Sequence, residues 1–263
     1  MGRVHLFEWE DQAWFPHLWR NYMTDLLQFS FTWQAPRAAY VTRLLGRLLD
    51  AAGTDEIVDL CSGSSGPLLY FRTQLEAGRG RPVHVVLTDK FPNAKKFAEL
   101  ARNTGGRVSF RSDSVDATRV PEELAGARTM FLAFHHFRPE VARQILADAA
   151  AQRRAIGIFE GAERSAKAVV FAVLTIPLVV WLLTPFVRPF RWGRLLWTYA
   201  LPVVPLAVWW DGWVSCLRTY SVAELEEMAA SAGGKDYAWE AGRERVRGTP
   251  MSTTYLMGYP KKK

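Results

Sequence analysis

The sequence predicts an α/β fold: a doubly wound, mostly parallel sheet with N-terminal helices and an apolar helical insert. Three observations carry that prediction. Short apolar runs at residues 56–60, 82–87, 108–111, 129–134 and 155–159 alternate with helix-patterned stretches at 67–76, 92–103 and 139–153. Alternation of this kind builds a parallel sheet covered by helices on both faces. Two uncharged runs, 168–187 and 195–210, then interrupt the pattern, and a soluble helix-and-strand pattern resumes from residue 216.

Each element follows from local chemistry. Leu18, Tyr22, Leu26 and Leu27, then Val41, Leu44, Leu45 and Leu48, recur at helical spacing. A break is expected near Ala35-Pro36, because proline disfavours helical backbone in the residue before it. Pro67, Pro92 and Pro139 open the three later helical stretches, where the missing N–H costs nothing. Ser221 with Glu224 three residues on reads as a capping box, and Gly233-Gly234 can end that helix. Residues 237–246 and 253–259 would add a closing antiparallel pair. Right-handed crossovers place any ligand at the carboxyl ends of the strands.

Composition narrows the class. The chain has 263 residues, 49% hydrophobic and 22% charged, enough for a real core and inconsistent with disorder. Its net charge of +7 suits an anionic partner, or simply solubility. Cys61 and Cys216 make no disulfide framework, so a reducing compartment is expected. The N-terminal stretch lacks the apolar region of a secretory signal, and Met1-Gly2 is followed by Phe7, not Ser or Thr, around the myristoylation position, so that motif is rejected too. No metal-ligand spacing stands out, and no metal is expected. With no zinc motif or basic helix, no nucleic-acid partner is expected either.

The chemistry-bearing stretch is Val58-Asp59-Leu60-Cys61-Ser62-Gly63-Ser64-Ser65-Gly66, a strand running through a small-residue turn into a helix. Small residues let a ligand approach the backbone, whose amides can donate to it. No Gly-Lys-Ser/Thr follows, so this is not a phosphate-binding Walker loop. Asp89 closes the second strand, where a carboxylate can accept from vicinal ribose hydroxyls. Asp113 and Asp116 follow the third strand, within reach of an adenine amino group. Phe134-His135-His136-Phe137 ends the fourth. Singly, each acid could be a loop or helix cap; their order after successive strands is what points to a nucleoside.

This order resembles the class I S-adenosylmethionine-dependent methyltransferases over residues 55–160. The resemblance implies S-adenosylmethionine as cofactor. Asp59 would lie near its methionine amino group, and Cys61, Ser62, Gly63 and Gly66 would form the close loop. Asp89 would hold the ribose, Lys90 and Phe91 would flank the adenine, and Asp116-Ala117 would meet its edge. His135 and His136 match a His-His pair after the fourth strand; both are candidate bases, with Glu160 a further catalytic candidate. Three features depart from the family pattern. Cys61 replaces a glycine, the last glycine is shifted by one, and residues 77–81 lengthen the gap from Asp59 to Asp89.

The insert sets the expected location. Residues 168–187 are long enough to span a bilayer and 195–210 are marginal. A spanning hairpin would carry Arg188, Arg191 and Arg194 across, against the positive-inside tendency. A shallow monotopic hairpin on the cytoplasmic face fits better, with Trp181, Trp192, Trp197, Trp209, Trp210 and Trp213 near the interface and the arginines at lipid phosphates. A buried lid or a dimer interface is the alternative. Trp14, Tyr22, Asp25 and Asp211 are candidate substrate contacts, with turn-capping the competing role for Asp211. The expected division is a helical lid (1–54), a Rossmann-like core (55–164), the insert (165–215) and a completing segment (216–263). The expected activity is O- or N-methylation of an apolar or amphipathic, possibly lipid-like, small molecule. A soluble methyltransferase with an apolar lid, or a non-catalytic binder of the same fold, are the alternatives; the oligomeric state is open.

Overall fold

A computed structural model describes residues 1–35, 39–102, 104–246 and 252–261. Pro36 and Asn103, at the expected helix limits, lie outside these residues. The helices α1 (His17–Gln34) and α2 (Ala39–Ala52) precede the alternating core: β1 (Glu56–Asp59), α3 (Leu68–Arg79), β2 (His84–Leu87), α4 (Ala94–Ala101), β3 (Val108–Phe110), β4 (Ala127–Phe131), α5 (Pro139–Ala151) and β5 (Ile156–Glu160). Then come α6 (Ala166–Leu183), α7 (Trp192–Leu195), α8 (Val203–Arg218), α9 (Val222–Ala232), β6 (Tyr237–Arg245) and β7 (Ser252–Pro260). The strands form one sheet in the order β3-β2-β1-β4-β5-β7-β6. β7 runs antiparallel between β5 and β6, and the pairs among β1 to β5 are parallel. The doubly wound sheet and its closing antiparallel pair are therefore as expected.

Alternation along each strand separates two cores. Ile57 faces a cluster with Leu45 and Leu48 of α2 and Phe71 and Leu75 of α3. Its neighbour Val58 faces the other, with Ile145 and Leu146 of α5 and Leu225 and Met228 of α9. Burying a Leu or Phe side chain stabilises by roughly 1.5–3 kcal/mol, which is why these short strands hold register. Caps follow the sequence. Ser221 and Glu224 make the capping box, and Pro139 is the first residue of α5. The other two expected first-turn prolines lie outside their helices: Pro67 is the N-cap of α3, and at α4 Asn93 caps, accepting from the Lys96 amide, so Pro92 comes before the helix. Gly233 ends α9 in an extended conformation.

The N-terminal helices part company. α2 lies on the sheet, whereas Tyr22, Met23 and Leu26 of α1 pack with Val180, Val204 and Val208 of the insert. The second apolar run is not one helix. It widens into a π turn at Leu196–Ala200, breaks at Pro202, and turns by 76° into α8. Proline lacks the N–H the ladder needs there. α8 continues to Arg218, which carries the insert directly to the carboxyl edge of the sheet.

Candidate functional site

β1 ends at Asp59, and the chain turns sharply before α3. Cys61, Gly63, Ser65 and Gly66 all have left-handed backbone, with φ of 55°, 51°, 65° and 45°. A Cβ at Gly63 or Gly66 would meet nothing within 4 Å, so the backbone conformation and not crowding selects glycine, and the space above the loop is open. Cys61 and Ser65 adopt the same region at a cost of about 1–3 kcal/mol each, strain of the kind that gathers at functional turns. Burial, and after it the Asp89 and Asp59 carboxylates, push the Cys61 thiol well up, so it stays protonated and is no nucleophile.

The loop meets the end of β2. The Gly63 amide donates to Asp89 Oδ2 at 3.0 Å, and the Phe91 amide donates to Asp89 Oδ1 at 2.9 Å. Each carboxylate oxygen keeps further acceptor capacity for a ribose hydroxyl. The Val115 amide donates to the Asp89 carbonyl at 2.9 Å, which brings the segment after β3 to the same place. Phe91 stands beside it with its ring 83% exposed. Ser62 has a supporting role: its hydroxyl donates to the Asp59 carbonyl and accepts from the Thr88 amide.

Asp59 is set deeper, accepting the Thr129 hydroxyl at 2.7 Å. Burial raises its carboxyl to about 7, against that hydrogen bond, which favours the ionised form. Asp116 accepts from the Thr118 amide and hydroxyl and from Lys90 Nζ at 2.7 Å. The Lys90 and Thr118 contacts hold the Asp116 carboxyl down to about 2. An exposed pair like Lys90–Asp116 contributes about 0–1 kcal/mol, so either partner can turn to another polar group at small cost. Ala117 is buried beneath them. Asp113 lies outward, paired with Arg111 at 2.7 Å.

A second group of polar residues gathers at the ends of β4 and β5. His135 and His136 sit in a single 3-10 turn, Phe134–His136, directly after β4. Glu160 ends β5 and clamps that turn: it accepts from the Phe134 amide at 2.7 Å, the His135 amide at 3.2 Å and His135 Nδ1 at 2.7 Å. Arg164, the partner weighed for Glu160 in the sequence, pairs with Glu224 instead. Burial works against charge on His135 and Glu160 alike, but their contact outweighs it, raising the imidazole and lowering the carboxyl. Sequence reading missed three members of this group. Glu8 and Asp11, in the turn Trp9–Asp11 and just before it, face His136 Nδ1 at 3.2 and 2.8 Å. Arg218, at the end of α8 and 1% exposed, donates to Asp11 at 2.6 Å, lies 3.3 Å from Glu8 and donates to the His135 and His136 carbonyls. Arg3 donates to the His135 and Phe137 carbonyls, so the N-terminal segment is sewn over the β4 end.

The expected substrate contacts fall elsewhere. Tyr22 is buried in the cluster joining α1 to the insert. Asp25 is buried with ion pairs to Arg194 at 2.7 Å and Lys96 at 3.0 Å, so its role is to join α1, α7 and α4. Asp211 lies inside α8 and not in a turn of its own; its carboxylate accepts from the Trp9 and Glu10 amides and so caps the Trp9–Asp11 turn. Trp14 is exposed beside Trp9. Beside the turn after β1 lies an apolar cavity of about 110 Å³, lined in part by Pro67, Phe71, Phe131, Leu132, Phe159 and Gly161.

No protein-family description matches the chain, and no curated protein is similar to it in sequence. Solved structures with a similar arrangement include an O-methyltransferase from neocarzinostatin biosynthesis in complex with S-adenosyl-L-homocysteine and a dihydroxynaphthoic acid, at 16% identity and a TM-score of 0.47, covering 86% of this chain and 58% of that one. The mitomycin 7-O-methyltransferase is 13% identical with a TM-score of 0.44, covering 87% and 60%. A zinc-dependent alcohol dehydrogenase from Rhodobacter sphaeroides is 14% identical with a TM-score of 0.44, covering 79% and 84%. The chain thus spans about three-fifths of the length of these two methyltransferases. Doubly wound sheets host many chemistries, so function rests on the site itself.

Asp59 gives a test of the crevice's electrostatics. Unfolded, an aspartate ionises near 3.9; here it ionises near 7. The native state therefore holds a proton that the unfolded chain lacks between those values, and the stability this gives is full below about pH 4 and lost as pH rises through 7. Asp59→Asn should gain on wild type across that window and hold a constant difference above it, read by denaturant unfolding from pH 4 to 8. A pH-independent difference would mean the carboxyl is not raised.

Proposed function

We propose that this protein is an S-adenosylmethionine-dependent methyltransferase that acts at a membrane surface on an apolar or amphipathic small molecule. One observation carries the reading: the left-handed turn after β1 and the acid after β2 converge through the Gly63–Asp89 hydrogen bond, under open space. The residues present suit the nucleoside. Asp89 accepts from the ribose, the Phe91 ring offers a face to the adenine, and Asp59 lies toward the cofactor's amino acid end. When bound, the sulfonium supplies an electrophilic methyl group. The chain's own part is to align an acceptor in line with it, exclude water and hold the acceptor's proton. His135 and His136, at the end of β4, are the candidates for that last task.

The acceptor class is inferred from two features. The cavity beside the loop is lined by phenyl rings, and Phe131 stacks on both Phe71 and Phe159 at 5.9 and 4.9 Å. The insert, in turn, offers an apolar exterior. Ala166–Phe186 has a mean hydropathy of 2.4 and only 17% of its most apolar stretch is buried. Leu174, Leu178, Trp181, Leu182 and Phe186 point outward. A buried lid helix would be covered, so this face supports insertion into one leaflet. Two details of the expected docking change. Arg194 is buried against Asp25 and Arg191 Nε lies 3.6 Å from the same carboxylate, leaving Arg188 for lipid phosphate. Trp209 and Trp210 are turned inward, donating to the Val173 and Phe7 carbonyls.

Two measurements test this reading. Asp89→Ala removes acceptors worth about 1.5–3 kcal/mol, so calorimetry should show adenosylhomocysteine binding weakened about 10- to 150-fold, with Asp113→Ala unchanged; equal affinity in Asp89→Ala contradicts the ribose assignment. Full-length protein should float with anionic phospholipid vesicles, and Leu174→Glu with Leu178→Glu should abolish flotation. A wild-type protein that is soluble and monomeric without detergent contradicts membrane docking.

A further inference from the structure

We infer that Glu8, His135 and His136 form a binding site for one divalent transition-metal cation of the zinc type. The atoms His135 Nε2, His136 Nδ1 and a Glu8 carboxylate oxygen lie within 4.8 Å of one another. Glu8 Oε2 is 3.2 Å from His136 Nδ1, and Glu8 Oε1 is 3.9 Å from His135 Nε2. Ligands of a tetrahedral zinc at about 2.0–2.2 Å stand about 3.4 Å apart, close to the Glu8 Oε2–His136 Nδ1 separation of 3.2 Å.

The surroundings prepare these atoms as ligands. Glu160 accepts the Nδ1 proton of His135 at 2.7 Å, so the lone pair of that imidazole lies on Nε2. A carboxylate behind a histidine in this way is the usual outer support of a metal-bound imidazole. His135 is 6% exposed, and its Nε2 has no hydrogen-bond partner among the described residues; it faces a carboxylate oxygen beyond hydrogen-bond reach. A cation between Nε2 and that oxygen would satisfy both; without a metal, a proton on the imidazole fills the same place. Glu8 is held from behind: Ser215 donates to its Oε1 at 3.1 Å, and Arg218 lies 3.3 Å from the same oxygen, leaving Oε2 toward the histidines. His136 Nδ1 is hydrogen-bonded to Asp11 Oδ1 at 2.8 Å, so a cation bound at Nδ1 would take the place of that proton and metal uptake would release it. Two imidazoles and a carboxylate select a borderline metal, not the all-oxygen shells of calcium or magnesium.

Three protein ligands leave a position open for a small molecule. On the methyl-transfer reading, that position would take the acceptor's oxygen or nitrogen and ease loss of its proton, and the two histidines would then serve as ligands and not as the base. Metal binding itself does not rest on that reading, because it is measured without adenosylmethionine.

The test uses tag-free, full-length protein in detergent, stripped with chelator and titrated with Zn²⁺ against a chromophoric competitor. Wild type should bind about one equivalent with a dissociation constant below about 1 μM, and Co²⁺ should give the visible bands of a low-coordinate site. His136→Ala, at a half-buried position that tolerates truncation, and Glu8→Gln should each weaken Zn²⁺ by about 100-fold or more, and Glu160→Gln by about 10- to 100-fold. Wild type that takes up no Zn²⁺ below about 1 mM overturns the inference. So does unchanged affinity in the folded His136→Ala protein.

Discussion

The hydrogen bond from the Gly63 amide to the Asp89 carboxylate ties the turn after β1 to the end of β2, and the crevice is organised around it. The same device recurs along the carboxyl edge of the sheet. Asp59 at the end of β1 accepts from Thr129 of β4, and Glu160 at the end of β5 accepts from the turn after β4. Each acid fixes the element beside its own strand, so neighbouring loops are held in one arrangement. Such preorganisation lets binding groups act without reordering when a ligand arrives. The acids also differ in surroundings. Asp59 and Glu160 are enclosed, whereas Asp89 keeps an open side, which suits it alone among the three to meet a polar ligand directly.

The insert and the site are one mechanical unit. α8 begins beyond the bend in the apolar region and ends at Arg218, inside the polar cluster. α1 packs on α6 and α8, and Asp25 locks it to Arg194 of α7. Breaking a buried ion pair of this kind by removing one partner costs about 3–5 kcal/mol, because the other charge is left stranded.

Most of the fold was legible because its signals are local. Apolar alternation gave the strands, prolines and glycines their limits, and the Ser221–Glu224 spacing a cap. The nucleoside loop and Asp89 were legible for the same reason: each lies where a strand ends. The polar cluster was not. His135 and His136 stood out as a pair, but Glu8, Asp11 and Arg218 come from distant parts of the chain, and no spacing joins them. The acidic N-terminal stretch was visible as a mixture of carboxylates and aromatics, without any sign of which side chain turned inward. Asp25 and Asp211 were visible as acids near aromatic helices; their burial against Arg194 and against the Trp9 and Glu10 amides depends on packing that periodicity does not encode. The bend at Pro202 was announced by its prolines, yet the continuation of α8 through Gly212 was hidden by the apparent turn Asp211-Gly212.

The central claim is that a nucleoside binds where the turn after β1 meets Asp89. A crystal structure with adenosylhomocysteine tests it most directly. The expected density has both ribose hydroxyls on the Asp89 carboxylate, the adenine against Phe91 and the amino acid end toward Asp59. Density elsewhere, or none at saturating ligand, would contradict it.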